Sequence, residues 1–235
     1  MSSETIPDDD ARLANPVYAA LSGPHSRFAI RNGRALRYAA DVAPFLALPA
    51  HPSGADWRDA VGLIAPGTAA ATLQDGSAPP GSLHVSRTFE LVQMTGRRDG
   101  GDRDREAVTL GPADVPEMLE LVRQTEPGPF LRRTIELGRY VGIRRGGALV
   151  AMAGERLRLP GWTEISAVCT APAHRGHGLA SRLVSTLVAD IHDRRERVFL
   201  HVLTGNEAAI RLYEALGFRI REARTVCVLT RAAVD

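Results

Sequence analysis

Between Thr170 and Ser181 the chain reads Thr-Ala-Pro-Ala-His-Arg-Gly-His-Gly-Leu-Ala-Ser. That is a strand stopped by Pro172, a loop carrying Gly176 and Gly178, and the start of an amphipathic helix. Such a loop points several free backbone N–H groups and the positive end of a helix dipole at one place. Gly176 and Gly178 remove Cβ atoms where a ligand must come close, and Arg175 adds a charged donor. The amides of Gly176, His177, Gly178, Leu179 and Ala180 then form a cradle for a pyrophosphate. The bland alternative is an ordinary strand-to-helix turn. A dinucleotide-binding loop would need a third glycine where Ser181 stands, and a place at the start of a βαβ unit. His174 and His177 lie three apart but have no acidic or Cys neighbour, which argues against a zinc site.

Two further groups could do chemistry. Glu164 lies six residues before Thr170 on the same strand, and period-2 alternation puts it on a face with Ser166, Val168 and Thr170. A carboxylate there can serve as a general base or simply sit at a strand edge. Asn206 and Tyr213 are seven apart, two helical turns, and so point the same way. Asn206 is a natural N-cap. Tyr213, spaced with Ile210 and Leu216, also fits a core position. Cys169 and Cys227 each sit in an apolar strand-like run, as reduced core residues would.

In the second half, Ala107 to Leu110 reads as a strand, and Pro112 opens a helix carrying Val115, Met118, Leu119 and Val122. Glu126-Pro127-Gly128-Pro129 breaks it, and Phe130 to Leu137 is a second short helix. Tyr140 to Arg144 and Leu149 to Leu157 flank a hairpin turn at Arg145-Gly146-Gly147, and Trp162 to Thr170 follows as a strand. Leu179, Leu183, Leu187 and Ile191 form one apolar helical stripe. Val198 to Leu203, the helix between Asn206 and its C-cap Gly217, and strands at Phe218 to Ile220 and Thr225 to Leu229 complete a β-α-α-β-β-β-α-β-α-β-β order. In the first half, residues 1–14 read as polar and frayed. Asn32-Gly33 marks a hairpin, Asp56 to Ile64 a helix, and 69–73 and 83–94 two strands separated by the turn Gly76 to Gly81. The charged run Arg97 to Glu106 reads as a solvated linker and sets a boundary between an N-terminal α+β domain (1–100) and a C-terminal domain (106–235).

Composition narrows the function classes. Of 235 residues, 29 are basic, all of them Arg, and 27 acidic, for a net charge of +2, without the basic excess of a nucleic-acid binder. Met1 to Asp10 is no signal peptide, and no apolar run reaches the ~20 residues of a membrane span. A cytoplasmic protein is expected.

Three segments together resemble the GCN5-related N-acetyltransferase (GNAT) superfamily. They are Val168-Cys169-Thr170-Ala171-Pro172, the loop Arg175 to Ala180, and Asn206 through Tyr213-Glu214-Ala215-Leu216-Gly217-Phe218. The run Glu164 to Thr170 resembles more narrowly the FR47-like branch. The resemblance covers just over half the chain. It implies a GNAT-like fold in the C-terminal half: α+β, with a mixed sheet flanked by helices. The N-terminal domain stays unassigned, with a degenerate GNAT-like origin as one option.

By the same resemblance, Arg175 to Ala180 would bind the pyrophosphate of acetyl-CoA. The backbone of Val168, Cys169 and Thr170 would pair with its pantetheine arm, one N–H polarising the thioester carbonyl. Asn206 would contact the cofactor, Tyr213 would protonate the departing thiolate, and Glu164 would be the base, a water network being the alternative. The expected function is acetyl transfer to a primary amine by direct attack. The acceptor is a small molecule or a peptide, and a homodimer stays open. A non-catalytic acyl-CoA sensor and a nucleotide-dependent oxidoreductase are the competing readings.

Overall fold

Strand-forming sequence is spread over the whole chain and assembles into one large sheet and one small one. The structure, a computed structural model, describes residues 11–73, 79–97 and 99–231. The N-terminal part runs α1 (Ala11–Ala14), α2 (Pro16–Leu21), β1 (Ala29–Asn32), β2 (Ala35–Tyr38), β3 (Leu46–Ala47), α3 (Gly54–Leu63), β4 (Ala69–Leu73) and β5 (Leu83–Thr95). Then come β6 (Val108–Leu110), α4 (Val115–Thr125), β7 (Tyr140–Arg145), β8 (Ala148–Leu159) and β9 (Trp162–Thr170). The chain continues through α5 (Leu179–Asp193), β10 (Arg197–Leu203), α6 (Glu207–Ala215) and β11 (Arg219–Arg231). Strands β1 to β3 form a small antiparallel sheet, and the other eight a mixed sheet in the order β4-β11-β5-β10-β9-β8-β7-β6. Among the described strand ladders only β9 and β10 pair in parallel, beside an isolated parallel bridge from Phe45 to Ala71.

One face of this sheet is covered by α5 and α6. The stripe Leu179, Leu183, Leu187 and Ile191 is buried there against Val141, Ile143, Ile165, Val198 and Leu200, each such side chain stabilising by roughly 1.5–3 kcal/mol. On the opposite face α4 buries Met118 and Leu121 against Tyr140, Met152 and Cys169. Beside it α1, α2 and β2 bring Leu13, Leu21, Leu36 and Tyr38 onto Leu157, Trp162 and Phe199.

The linker expected to divide two domains does not separate two sheets. β5, on its N-terminal side, pairs with both β10 and β11 in the middle of the large sheet, and β4 edges β11. The charged run is exposed at most of its described positions, yet it is tied to α5. Asp102 N–H donates to Ser185 Oγ at 2.8 Å and Asp104 N–H to Thr186 Oγ1 at 2.9 Å. Arg103 reaches Asp190 at 2.8 Å, and Arg182 pairs with both Asp104 and Glu106. Gly101, at φ 93°, lies so close to α5 that an added Cβ would stand 2.5 Å from the Ala189 nitrogen. The run reads as a free linker only because its partners lie some eighty residues away on α5.

Smaller corrections have local causes. Of the segment expected to be frayed, residues 1–10 lie outside the described residues. Ala11–Ala14 is helical, and Leu13 there is fully buried. The first hairpin pairs Asn32 with Ala35, so its two turn residues are Gly33 and Arg34, with Gly33 at φ 51°. Residues 76–78 of the turn expected at Gly76 to Gly81 lie outside the described residues. The short helix at 130–137 is only a 3-10 turn at Thr134–Leu137. The two final strands are one, bent by an irregularity between Ile220 and Glu222.

Candidate active site

Parallel pairing of β9 and β10 covers only Arg197 to Phe199 against Trp162 to Glu164. Beyond this point β9 continues along β8 and β10 along β5. The two strands therefore part, and Ile165–Thr170 and Leu200–Leu203 present unpaired backbone edges to each other. Within β9, Met152 opposes Cys169 while Gly154 opposes Ser166, which leaves one extra residue, a β-bulge. Ala167 takes it up at φ 52°, the left-handed region that costs a non-glycine residue about 1–2 kcal/mol. The bulge resets alternation. Val168 packs with α5, whereas Ala167 and Cys169 belong to the cluster under α4. The face expected to group Glu164 with Val168 and Thr170 is thus broken.

Above the opening stands the glycine loop. Gly176 and Gly178 have φ of 80° and 69°, and an added Cβ at either would meet nothing within 4 Å. Backbone angle rather than crowding selects glycine, and the space beside the loop is open. Gly178 is the N-cap of α5, without a side-chain cap and without an acidic residue in the first turn. The first ladder bond runs from Arg182 N–H to Gly178 C=O, so the amides of Leu179, Ala180 and Ser181 precede the ladder. The loop closes on itself: Arg175 Nε donates to Thr170 C=O at 3.3 Å and His177 Nδ1 to His174 C=O at 3.3 Å.

Glu164 lies on the opposite face from α5 and is fully buried. Arg156 on β8 binds it in a fork at 2.7 and 2.8 Å, and His201 on β10 bonds its Oε1 at 2.7 Å. Gln93 on β5 extends the network. It accepts from Arg221 through Oε1, and its Nε2 donates to the Leu13 carbonyl and to His201 Nε2. These contacts fix His201 as the tautomer that carries its proton on Nδ1. Burial pushes the Glu164 carboxyl up, but the Arg156 charge and the hydrogen bonds from Arg156 and His201 outweigh it and hold it at about 2. A carboxyl lowered this way stabilises the fold above its ordinary value of 4.5, and the contribution is lost as pH falls from 4.5 towards about 2. Glu164→Gln leaves the Arg156 charge buried and unpaired, so it is expected to cost about 3–5 kcal/mol. Thermal melting at pH 7 reads that loss, and the gap to the parent protein should close as pH is lowered through the same window.

Tyr213, from α6, is 8% exposed and packs on Phe218 with ring centroids 5.8 Å apart. Burial, and then the neighbouring Cys169 thiol, push its phenol up to about 12. Cys169 itself is pushed up to about 11 by burial, against opposing hydrogen bonds from Thr125 and the Met152 backbone, and so is no thiolate nucleophile. The structure thus brings Tyr213 to Cys169 at the opening. Asn206 caps α6, its Oδ1 accepting from Ala209 N–H at 3.2 Å.

A model of the FR47-like protein family matches residues 140–227. The N-alpha-acetyltransferase RimI of Mycobacterium tuberculosis is 37% identical over 130 residues, covering 49% of this chain and 81% of RimI. The solved structure of a GNAT-family protein from Novosphingobium aromaticivorans is 37% identical. It superposes with a TM-score of 0.87, covering 95% of this chain and 100% of its own. The chain belongs to the GNAT acetyltransferase family. The fold, but no closer likeness, is shared with a GCN5-related N-acetyltransferase from Kribbella flavida, at 17% identity and a TM-score of 0.60. Because the Novosphingobium protein matches nearly the whole chain, the N-terminal elements belong to an architecture shared between GNAT proteins.

As a GNAT member the protein is an N-acetyltransferase using an acyl-CoA donor. The relatives give the oxidoreductase reading no support. Its site fits such a donor: two unpaired strand edges for an amide-bearing arm, and an uncapped helix N-terminus with open space beside it for phosphate. Sequence reasoning missed Arg156, Gln93, His201 and the Ala167 bulge. The available signal was polarity inside buried strands, as in Val198-Phe199-Leu200-His201-Val202, where a lone His sits among apolar neighbours.

Proposed function

We propose that this GNAT protein transfers the acetyl group of acetyl-CoA to a primary amine by direct attack, with no covalent acetyl-enzyme. The observation that carries the reading is the opening between β9 and β10 with the uncapped N-terminus of α5 above it. When bound, acetyl-CoA supplies an activated thioester. The amides of Gly176, His177, Gly178, Leu179 and Ala180, with Arg175, hold its pyrophosphate. The inner edge of Val168, Cys169 and Thr170 pairs with its pantetheine arm, and an N–H freed from the ladder near the bulge polarises the carbonyl. Asn206 serves both as cap and as a cofactor contact. Tyr213, protonated throughout the working pH range, gives its proton to the sulfur. The raised Cys169 thiol supports direct attack over a cysteine shuttle.

Calorimetry tests the donor. Acetyl-CoA is expected to bind with micromolar affinity, and NAD(P) not at all. A folded protein showing no heat with high-micromolar acetyl-CoA sinks the assignment.

A further inference from the structure

On the sheet face opposite α5, N-terminal elements and the large sheet enclose a cavity of about 50 Å³. At the roughly 10–15 Å³ a water needs, it has room for about four heavy atoms. Its walls are apolar: Val17 from α2, Phe45, Leu73 from β4, Leu91 from β5 and Val226 from β11. Arg156 and His201 give it a polar floor. His201 also lies on the length of β10 that has left β9, just past the last parallel pair at Phe199. The cavity therefore borders the opening between the two strands.

The floor is almost fully engaged. Arg156 Nε and Nη2 hold the two oxygens of Glu164 at 2.8 and 2.7 Å, and the guanidinium lies 5.1 Å over the Phe45 ring. Its Nη1 donates to no described residue, and the side chain keeps 12% exposure. His201 donates to Glu164 through Nδ1 and accepts from Gln93 at Nε2. What the cavity offers is an apolar volume with one spare N–H donor. An anion is poorly served there. Glu164 already neutralises Arg156, and a second carboxylate on one guanidinium would be a buried charge without a counter-ion. A neutral oxygen, an ether or a carbonyl, satisfies Nη1 without that penalty. A body rich in polar groups would leave them unpaired against the apolar walls.

We propose that this cavity is the acceptor pocket, and that the acceptor is a small apolar amine whose far end carries one neutral oxygen for Arg156 Nη1. Its amine end then lies beside His201 at the opening, where the thioester is presented. The inference rests on the acetyl-transfer reading above. The ammonium first loses a proton to water. The C–N bond then forms and the C–S bond breaks, while Tyr213 gives its proton to the sulfur and regains one from the new amide nitrogen.

The test uses the full chain, acetyl-CoA and three unbranched amines of matched length: hexylamine, methoxybutylamine and aminopentanoate. Thiol release at mildly alkaline pH gives kcat/KM for each. Methoxybutylamine is expected to exceed aminopentanoate by at least tenfold and hexylamine by about fivefold. Ala71, on β4, also lines the cavity. Ala71→Leu fills it and is expected to raise the KM for methoxybutylamine at least tenfold, while acetyl-CoA binds as in the parent protein. Leu73→Ala enlarges it and should shift the preference towards a bulkier amine. Calorimetry with the N-acetylated methoxybutylamine, without CoA, reads the cavity independently of turnover, and its heat should disappear in Ala71→Leu. A preference for aminopentanoate, a KM unchanged in Ala71→Leu, or product binding that this variant leaves intact overturns the proposal. So does turnover confined to peptide amines. If Ala71→Leu does not melt cooperatively, Leu73→Ala decides, and an unchanged size preference there overturns the proposal. Absence of acetyl-CoA binding instead removes the donor assignment beneath it, and the product titration still judges the cavity by itself.

Discussion

Replacing Ala180 by Glu is expected to raise the KM for acetyl-CoA at least tenfold while leaving the melting temperature unchanged or slightly higher. Ala180 is the second residue of α5, and that first turn contains no acidic side chain. For the helix alone this is a missed opportunity, since a carboxylate near the N-terminus stabilises by about 0.3–1 kcal/mol. An acyl-CoA phosphate would draw on the same amides and the same dipole end, so the introduced carboxylate competes with it and repels it. At an effective dielectric of about 20, two unit charges 4 Å apart interact by roughly 4 kcal/mol, well beyond the ~1.4 kcal/mol that a tenfold change requires. Stability and affinity thus move in opposite directions, which a merely damaged helix could not produce. Ala180→Gln keeps the shape without the charge and should stay within about threefold of the parent. Added salt should narrow the gap between the two variants. Calorimetry with acetyl-CoA and a melting curve for each variant decide the matter. A Glu variant that binds normally would move the phosphate away from this helix end.

The parts of the site legible in the sequence are those built from neighbours along the chain. Gly176 and Gly178 before an apolar stripe predict the loop and the start of α5, because a positive φ and a helix start are local demands. Asn206 caps α6 as its position predicts, since capping spans three residues. The Gly146-Gly147 turn follows from the same kind of short-range rule. Membership of the GNAT family was readable for the same reason: its signature segments are contiguous. What was hidden depends on pairing at a distance. β5 lies between β10 and β11, and nothing in Leu83–Thr95 states which strands it will meet. The bulge at Ala167 is invisible because alanine carries no preference for a left-handed angle, and one extra residue inverts every face assignment after it.

The polar network was hidden for a related reason. Arg156, Glu164, His201 and Gln93 come from four strands that are neighbours only once the sheet has formed. Each alone reads as a single polar residue in a strand, with nothing to name its partner. Their meeting also ties the N-terminal elements to the site, since Gln93 donates to the Leu13 carbonyl and Arg156 lies over the Phe45 ring at 5.1 Å. Leu13 and Phe45 thereby join the described N-terminal elements to this network.

Tyr213→Phe is expected to lower kcat by about 10²–10³ while leaving the KM for acetyl-CoA within about twofold and the fold intact. The ring packs against Phe218, and phenylalanine keeps that contact. No other described residue hydrogen-bonds the phenol, so its loss leaves no orphaned partner inside the protein. With its pKa pushed up to about 12, the hydroxyl is an acid held in readiness at working pH, and it contributes no titration to the neutral-pH profile. Removing a positioned general acid usually costs 10²–10⁴ in rate. The loss should depend on how much help the leaving sulfur needs. An acetyl thioester of a more acidic thiol leaves more readily, so it should restore much of the rate in Tyr213→Phe while changing the parent enzyme little. Equal sensitivity of parent and variant to thiol acidity, or a variant with unchanged kcat, would show that the sulfur departs unassisted and that Tyr213 serves the opening only as a wall.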